Sequence, residues 1–492
     1  MNTLSKAMQK QSAVKTTENG AVAYSTTNND ILDFFSLAGS MRSREPEDII
    51  EKFELAYKES PELAIKALFY VGDIRGGLGE RRTFRLCLRK LALINPDVVK
   101  KNIHLIPEYN RWDSIFELFD TDVEDVTLEY IEEQLFNDYK NMVFHKPISL
   151  LAKWLPSENA SSKKTKLLAK KIRKYLQFTS AEYRKHLSQL RKYLDIVETH
   201  MSANDWTNII YENVPSNAMM RYRNAFYNHD NEGMTSYIES VKSGKKKINS
   251  SVLYPYNIVH SYLYDNYYYG VKNLDDVLEE QWKALPDYTN DTNIIVMADV
   301  SGSMCGRPME TSVGLAIYFA QRNKGVFHNQ YMTFSSRPHC VSIKDNWALT
   351  NCIHNVMGKD VGYSTDLDAA FKYLLDMCVD NNISQEELPS ALVVISDMEI
   401  DRFGSENYNW SFVDKWEKRF AEAGYKLPKL VMWNVEARND TFLSQNPNVL
   451  YVSGQSTSTF QYFTAALNGK TAYDFMLDIL NSDRYSMIDT EI

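Results

Sequence analysis

The sequence predicts an α + α/β protein: an N-terminal all-α array of helices followed by a doubly wound α/β domain. Between about residues 31 and 285, apolar residues recur at helical spacing, and the helix-sized segments are separated by short breaks. Beyond Pro286 the texture changes, and short apolar β-type runs alternate with helix-like segments. That alternation is the signature of a parallel sheet covered by helices on both faces. The chain has 492 residues, 44% of them apolar and 24% charged, which is ordinary globular composition and enough chain for a sizeable core. The expected division is a flexible arm over 1–30, a helical-repeat domain over 31–288 and the α/β domain over 289–492.

Residues 1 to about 30 are rich in Thr, Asn, Ser, Lys and Gln, a composition that favours a mobile arm. Ile49 to Ala56 and Glu62 to Tyr70 have helical spacing, and Pro61 suits the first turn of the second of these helices. The Gly-rich break Arg75-Gly-Gly-Leu-Gly79 precedes a helix through Phe84, Leu86 and Leu91, and Asn95-Pro96 opens another. The following helices, about 10–20 residues each, suggest paired, HEAT-like hairpins, although no strict sequence period is present. In the second half, Asn293 to Ala298 reads as a strand buried on both faces. Further strands are expected around Gln330–Phe334, Ala391–Ser396, Lys429–Val435 and Val449–Val452, with a closing helix pair around Phe460–Leu467 and Ala472–Leu480.

No run approaches the ~20 apolar residues of a membrane-spanning helix, and the N-terminal residues lack a secretory apolar stretch. The five cysteines are scattered and contain no C-x-x-C pair, which favours reduced thiols and a cytoplasmic setting over a disulfide frame or a zinc site. The net charge of −9 conceals a split. Residues 140–250 hold 20 Lys and Arg against 9 Asp and Glu, a net +11, which leaves −20 for the rest of the chain. A concentrated positive segment in an acidic chain points to a local site for an anionic partner.

The sharpest motif is Asp299-x-Ser301-x-Ser303, directly after the first strand of the α/β domain. A second expected strand, Ala391–Ser396, ends in Asp397, and between the two lies Gly362-Tyr-Ser-Thr365-Asp366, a loop that opens a helix. Ligand sites in open parallel sheets form at the carboxyl ends of strands, so two carboxylates and several hydroxyls can meet at one rim. Such a set suits a hard divalent cation, Mg2+ or Mn2+, which takes oxygen ligands and retains water. Ser301, Ser303 and Thr365 would bind through hydroxyls, with Asp299 and Asp397 acting largely through water. The bland alternative is a strand-end turn in which Ser and Gly serve backbone shape. A serine nucleophile has little support, because no G-x-S-x-G elbow is present and His328, His339 and His354 have no evident link to the serines. A phosphate-binding G-x-x-x-x-G-K-[ST] loop is also absent.

The basic segment offers Lys163, Lys164, Lys170, Lys171 and Lys174, then Arg184, Lys185, Arg191 and Lys192. Arg221, Arg223, Lys245, Lys246 and Lys247 follow. Leu167, Leu168, Ile172 and Leu176 are expected to bury one helix face and leave the cations on the other. Cations grouped on one surface release counterions from a nucleic acid and gain affinity without reading sequence. Trp154, Trp206, Tyr222, Phe226, Tyr227 and the run Tyr262 to Tyr269 supply rings on which unpaired bases can stack. A solvated lysine-rich face and tyrosines lining a core are the plain alternatives.

The five-position set Asp299, Ser301, Ser303, Thr365 and Asp397 resembles the metal-ion-dependent adhesion site of von Willebrand factor A domains. The resemblance covers about 200 residues and implies that Ser301, Ser303 and Thr365 are ligands, with the two aspartates direct or outer ligands. A helical N-terminal domain joined to such a domain is similar to the Ro autoantigen (TROVE) architecture, in which a ring of helical repeats binds RNA. A nearer likeness is to an uncharacterised Ro-like family of unknown function. It rests on Asp73-Ile-Arg-Gly-Gly-Leu-Gly-Glu-Arg81, Ile106-Pro-Glu-Tyr-Asn-Arg-Trp-Asp113, Leu151-Ala-Lys-Trp-Leu-Pro-Ser-Glu-Asn159, Tyr183-Arg-Lys-His-Leu-Ser-Gln-Leu-Arg191 and Ser243-Gly-Lys-Lys-Lys-Ile-Asn249.

The resemblance implies a non-enzymatic protein that binds a single-stranded or structured small RNA through its helical domain and holds a divalent cation in its A domain. The alternative is an adaptor or structural protein, in which a protein partner donates an Asp or Glu to the metal. A metal-dependent hydrolase is a weaker third reading, since the site has few direct carboxylates for two-metal chemistry. The motif at 73–81 also has a structural reading as a helix-ending turn, with Trp112 packed between helices and Asp113 as a cap.

Overall fold

The computed structural model describes residues 13–263, 270–289, 293–333, 337–359, 365–401, 412–463, 467 and 469–491. The chain forms two compact units. One comprises Met1–Thr83 with Ser250–Ser486, and the other Phe84–Asn249 with Met487–Ile492. These units do not follow a contiguous division at 288/289, because residues 13–83 and the helices Pro255–Tyr262 and Asp276–Lys283 all cluster with the sheet.

The first unit is built on strands. β1 (Val14–Thr16) and β2 (Val22–Tyr24) form an antiparallel hairpin. β3 (Ile294–Ala298), β4 (Gln330–Thr333), β5 (Cys340–Ser342), β6 (Ala391–Ser396), β7 (Lys429–Asn434) and β8 (Leu450–Ser453) form one sheet in the order β5-β4-β3-β6-β7-β8. All neighbours are parallel except the edge pair β4 and β5. β3 and β6 are buried along their whole length, as their unbroken apolar runs require. The chain leaves β3 towards β4 on one side and returns to β6 on the other. The crevice between the carboxyl ends of β3 and β6 is therefore the switch point where such sheets bind ligands. The short strand β5 was not anticipated, and Phe334 lies outside the described residues.

Helices flank the sheet. Arg307–Arg322 follows β3 and is buried from Glu310 to Ala320. Gly314 lets it approach the Pro255–Tyr262 helix, because a Cβ there would stand 3.0 Å from the Pro255 carbonyl carbon. Leu367–Asp380 starts at an Asp366 side chain that accepts from the Ala369 amide, an N-cap.

Helices Asp30–Leu37, Pro46–Glu59 and Pro61–Gly72 belong to this unit rather than to a separate helical array. Gly39 backs directly onto β8: its amide donates to Ser453 Oγ at 2.9 Å, and a Cβ would meet the Ser453 carbonyl oxygen at 2.5 Å. Phe35 stacks on Tyr70 at 5.2 Å and meets Phe475 edge-on. The glycine motif at 73–81 is a packed turn. A Cβ on Gly77 would lie 2.0 Å from the Tyr70 carbonyl oxygen, and one on Gly79 (φ 65°) 1.9 Å from Tyr254 Oη. Asp73, fully buried, accepts from Arg484, Tyr485 Oη and the Arg75 amide.

Residues 13–30, expected as part of a mobile arm, are held in place. Tyr24 exchanges backbone hydrogen bonds with Phe442 at 2.8 and 2.9 Å, and Gly20 bridges Asp401. Thr17 Oγ1 donates to the Ile400 carbonyl at 2.7 Å. Polar composition gives no warning of this, because the partners of these residues lie hundreds of positions further along the chain.

The second unit is helical, with Glu124–Val143, Lys163–Tyr175, Ser180–Tyr193, Ser216–His229 and Asn231–Lys242 as its main helices. In Lys163–Tyr175 the buried stripe is Ala169, Ile172 and then Leu176, at i, i+3 and i+7. That stripe rotates Leu167 outward, so it is exposed, contrary to the expected face. Trp112 is buried and stacks on Tyr130, as expected. Asp113 is not a cap: it pairs with Arg85 at 2.8 Å and with Arg111, and these cations hold its carboxyl below the usual range. Among the described residues no helix is long and apolar enough to cross a membrane.

Candidate functional site

The site lies at the carboxyl ends of β3 and β6, in the first unit. Asp299 follows the last residue of β3, and its amide still donates to the Ile395 carbonyl of β6 at 3.0 Å. Its Oδ1 accepts from the Ser301 amide at 2.9 Å, which folds the loop into an Asx turn and swings the serine side chains back over the strand end. Ser301 Oγ and Ser303 Oγ stand 3.1 Å apart. Ser301 is buried and Ser303 exposed, so this hydroxyl pair spans the surface.

Asp397 follows β6. Ser396 Oγ donates to Asp299 Oδ2 at 2.7 Å and lies 3.5 Å from Asp397 Oδ1, so it bridges the two carboxylates. Both aspartates are about 1% exposed. Burial, and next the charge of Asp397, push the Asp299 carboxyl up to about 6. The turn after β6 requires Met398 at φ 65°, a left-handed conformation uncommon for such a residue. This turn directs the Glu399 amide to Asp397 Oδ1 at 3.1 Å.

Thr365 joins from the third segment. Its hydroxyl donates to the Glu399 carbonyl at 3.3 Å, and its amide donates to Asp401 Oδ2 at 2.7 Å. The five sequence-selected residues thus belong to one bonded cluster: Ser301 and Ser303 with Asp299, Asp299 with Asp397 through Ser396, and Thr365 with Asp397 through Glu399. Gly362, Tyr363 and Ser364 lie outside the described residues.

Several participants carried no local motif. Arg438, just beyond β7, donates through Nη2 to Asp397 Oδ2 at 2.5 Å and to the Ser303 carbonyl at 3.0 Å, and its Nη1 pairs with Glu18 at 3.3 Å. Asn19 Nδ2 donates to the Glu399 carbonyl at 2.7 Å and lies 3.5 Å from Thr365 Oγ1. Arg438 had one usable signal, its place at the end of the next parallel strand. Glu18 and Asn19 had none.

Chemically, the cluster offers hard oxygen donors. Two ligands at adjacent corners of a Mg2+ octahedron, with metal–oxygen distances of about 2.0–2.1 Å, lie about 3 Å apart, and the serine hydroxyls have that spacing. Two buried neighbouring carboxylates, one of them pushed towards protonation, favour added positive charge. The donor set therefore fits a divalent cation. Among the described residues no group of three His, Cys, Asp and Glu side chains is placed to hold a metal, so hydroxyls would have to contribute. His328 bonds the Asn323 carbonyl and Asp345, and His339 the Arg337 carbonyl, rather than the serines.

In the helical unit Lys163, Lys164, Lys170, Lys174, Arg184, Lys185, Lys192, Arg221, Lys245, Lys246 and Lys247 are exposed. Others in the expected set serve the fold. Lys171 pairs with Asp120 and Glu124 at 2.9 and 2.6 Å. Arg191 is spent on the Ala152 and Leu155 carbonyls and on Ser157 Oγ, holding the segment at 151–159. Arg223 donates to the Met220 carbonyl. Of the expected stacking rings, Phe226 and Tyr262 are buried, Trp154 lies under Arg111 at 4.0 Å, and Trp206 stacks on His229 at 4.2 Å. Tyr264, Tyr267, Tyr268 and Tyr269 lie outside the described residues. Among the described residues of this unit the exposed rings are Phe136, Tyr139, Phe144 and Tyr175, none of which the sequence singled out.

The architecture is thus a helical region with a mixed, mostly parallel six-stranded α/β sheet carrying a polar strand-end cluster. The chain belongs to the family described as "Domain of unknown function (DUF2828)", whose model matches residues 17–112 and 124–292, more than half of the chain. The model described as "Domain of unknown function (DUF7788)" matches residues 293–478, which carry all five candidate site residues. The chain is also similar to "Uncharacterized protein L728" of Acanthamoeba polyphaga mimivirus, with 28% identity over 468 residues that cover 87% of this chain and 80% of that protein.

Proposed function

We propose that this is a non-enzymatic, Ro-like RNA-binding protein of the cytoplasm. Its sheet domain, of von Willebrand factor A type, holds Mg2+ or Mn2+ at Asp299, Ser301, Ser303, Thr365 and Asp397. The cation half of the reading rests on the 3.1 Å pair of serine hydroxyls beside two buried aspartates. The RNA half is carried by one observation. On helices Lys163–Tyr175 and Ser180–Tyr193, Lys163, Lys170, Lys174, Lys185 and Lys192 are exposed and form no ion pair among the described residues. Cations left without acidic partners are the groups that can displace counterions from a phosphate backbone. The exposed Tyr139 and Tyr175 rings belong to the same unit and are available for base stacking.

Fluorescence anisotropy with a labelled single-stranded RNA tests this reading. The logarithm of the binding constant should fall with the logarithm of salt concentration, by about 0.7 for each phosphate contacted. Replacing Lys170, Lys174 and Lys185 together by Glu should weaken binding at least about tenfold. A flat salt response, or undiminished binding by the triple variant, contradicts the reading. The exposure of Ser303 at the rim favours a second reading, an adaptor that receives an acidic side chain of a protein partner on the cation. Its mark is co-purification of protein that resists nuclease and is lost with chelator.

A further inference from the structure

We propose that Arg438 is a built-in cation that holds the place of the divalent ion at Asp397 and is clamped there by Glu18 of the N-terminal hairpin. The proposal rests on the cation-site reading above and concerns how that site is regulated.

The Asp397 side chain is fully buried, and its only charged partner among the described residues is the Arg438 guanidinium, which is about one-third exposed. Through Nη2 the same guanidinium reaches the Ser303 carbonyl, the backbone of a proposed ligand. It therefore lies across the gap between the β3 loop and the β6 loop, where a dication drawing on Ser303 and Asp397 would have to sit close by. An arginine and a dication on one carboxylate repel each other, so each weakens the other's hold on Asp397.

The hairpin makes this competition a latch. Glu18 pairs with Arg438 Nη1, and the Glu18 amide donates to Glu399 Oε2 at 2.6 Å. Asn439 Nδ2 lies 3.3 Å from both the Glu18 and the Glu399 carboxylates. These two acids are tolerable neighbours while the guanidinium is present. When a dication expels Arg438, Glu18 loses its counter-charge and faces Glu399 across one amide. Asn19, 3.5 Å from Thr365 Oγ1, also competes for a lone pair that a metal would use. Cation entry thus loosens the hairpin tip and uncovers the rim on which an outside acidic group would land. No local sequence motif marks this, because Glu18 and Arg438 are 420 positions apart.

The test is Mn2+ titration of the full chain by calorimetry, with Arg438→Gln and Arg438→Lys as variants. Arg438→Gln should bind Mn2+ at least about tenfold more tightly than the wild type. Arg438→Lys, which keeps the charge, should stay within about threefold of the wild type. A gain of affinity is not what damage to the fold produces. Equal or weaker binding by Arg438→Gln, or a lysine variant that behaves like the glutamine one, overturns the latch and leaves the cation site standing. No Mn2+ binding by either the wild type or Arg438→Gln overturns both. A second measurement needs no variant: Mn2+ should speed hydrogen exchange at the amides of Glu18 to Ala21 in the wild type. Unchanged or slower exchange with Mn2+ bound contradicts the proposal.

Discussion

Replacing Asp299 by Asn stabilises the cation-free protein above pH 6 and at the same time removes its stabilisation by Mn2+. The carboxyl is fully buried beside Asp397, and its folded-state pKa lies at about 6 against 3.8 for the ordinary group. A carboxyl with a raised folded pKa favours the fold only while it is protonated. The penalty is absent below the ordinary value and grows as the pH rises from about 4 to about 6. At pH 7.5 it reaches a limit of about 3 kcal/mol, and Asn avoids it at every pH. Asn can still accept from the Ser301 amide, so the loop keeps its turn. Urea unfolding in EDTA should show the variant ahead of the wild type at pH 7.5, with the gap closing towards pH 4. Adding Mn2+ at about 100 times its dissociation constant should raise wild-type stability by about 2.7 kcal/mol and leave the variant unmoved. A variant that is less stable than the wild type at pH 7.5 in EDTA contradicts this picture of two carboxylates awaiting a cation.

The Asp73→Ala variant should lose about 3 kcal/mol or more of the first unit's stability. Asp73 accepts from two nitrogens of Arg484, from Tyr485 Oη at 3.1 Å and from the Arg75 amide at 3.0 Å, and its side chain is fully buried. Removing the acceptor strands a part-buried guanidinium and a buried phenol, and breaking a buried pair from one side costs about 3–5 kcal/mol. The denaturant midpoint measures the loss. A change below about 1 kcal/mol indicates that water replaces the carboxylate, and that the glycine motif is not held by this anchor.

Much of the sheet was legible because its strands are buried on both faces. Ile294 to Ala298 and Ala391 to Ser396 have no polar residue until the strand end, so they have one sensible reading. The site residues were legible for a related reason: a polar cluster directly after such a run stands at the rim by construction. What was illegible depends on partners distant in the chain. Strands β1 and β2 are three residues each, Val-Lys-Thr and Val-Ala-Tyr, too short for periodicity, and their place is set by backbone bonds between Tyr24 and Phe442 and by the Thr17 hydroxyl on the Ile400 carbonyl. Residues 30–83 read as the start of a helical array because their periodicity is helical. Their membership in the sheet unit follows from the close approach of Gly39 to Ser453, which no local pattern encodes. Among the basic residues, composition could count charges but could not tell the exposed Lys170 from Lys171, one position on, which faces Asp120 and Glu124.

Crystals soaked in Mn2+, with anomalous scattering recorded above the manganese edge, test the central claim most directly. The account predicts one peak at the β3–β6 crevice, about 2.0–2.2 Å from the hydroxyl oxygens of Ser301, Ser303 and Thr365. An ordered crevice with no peak, or a peak ligated by a different set of residues, would contradict it.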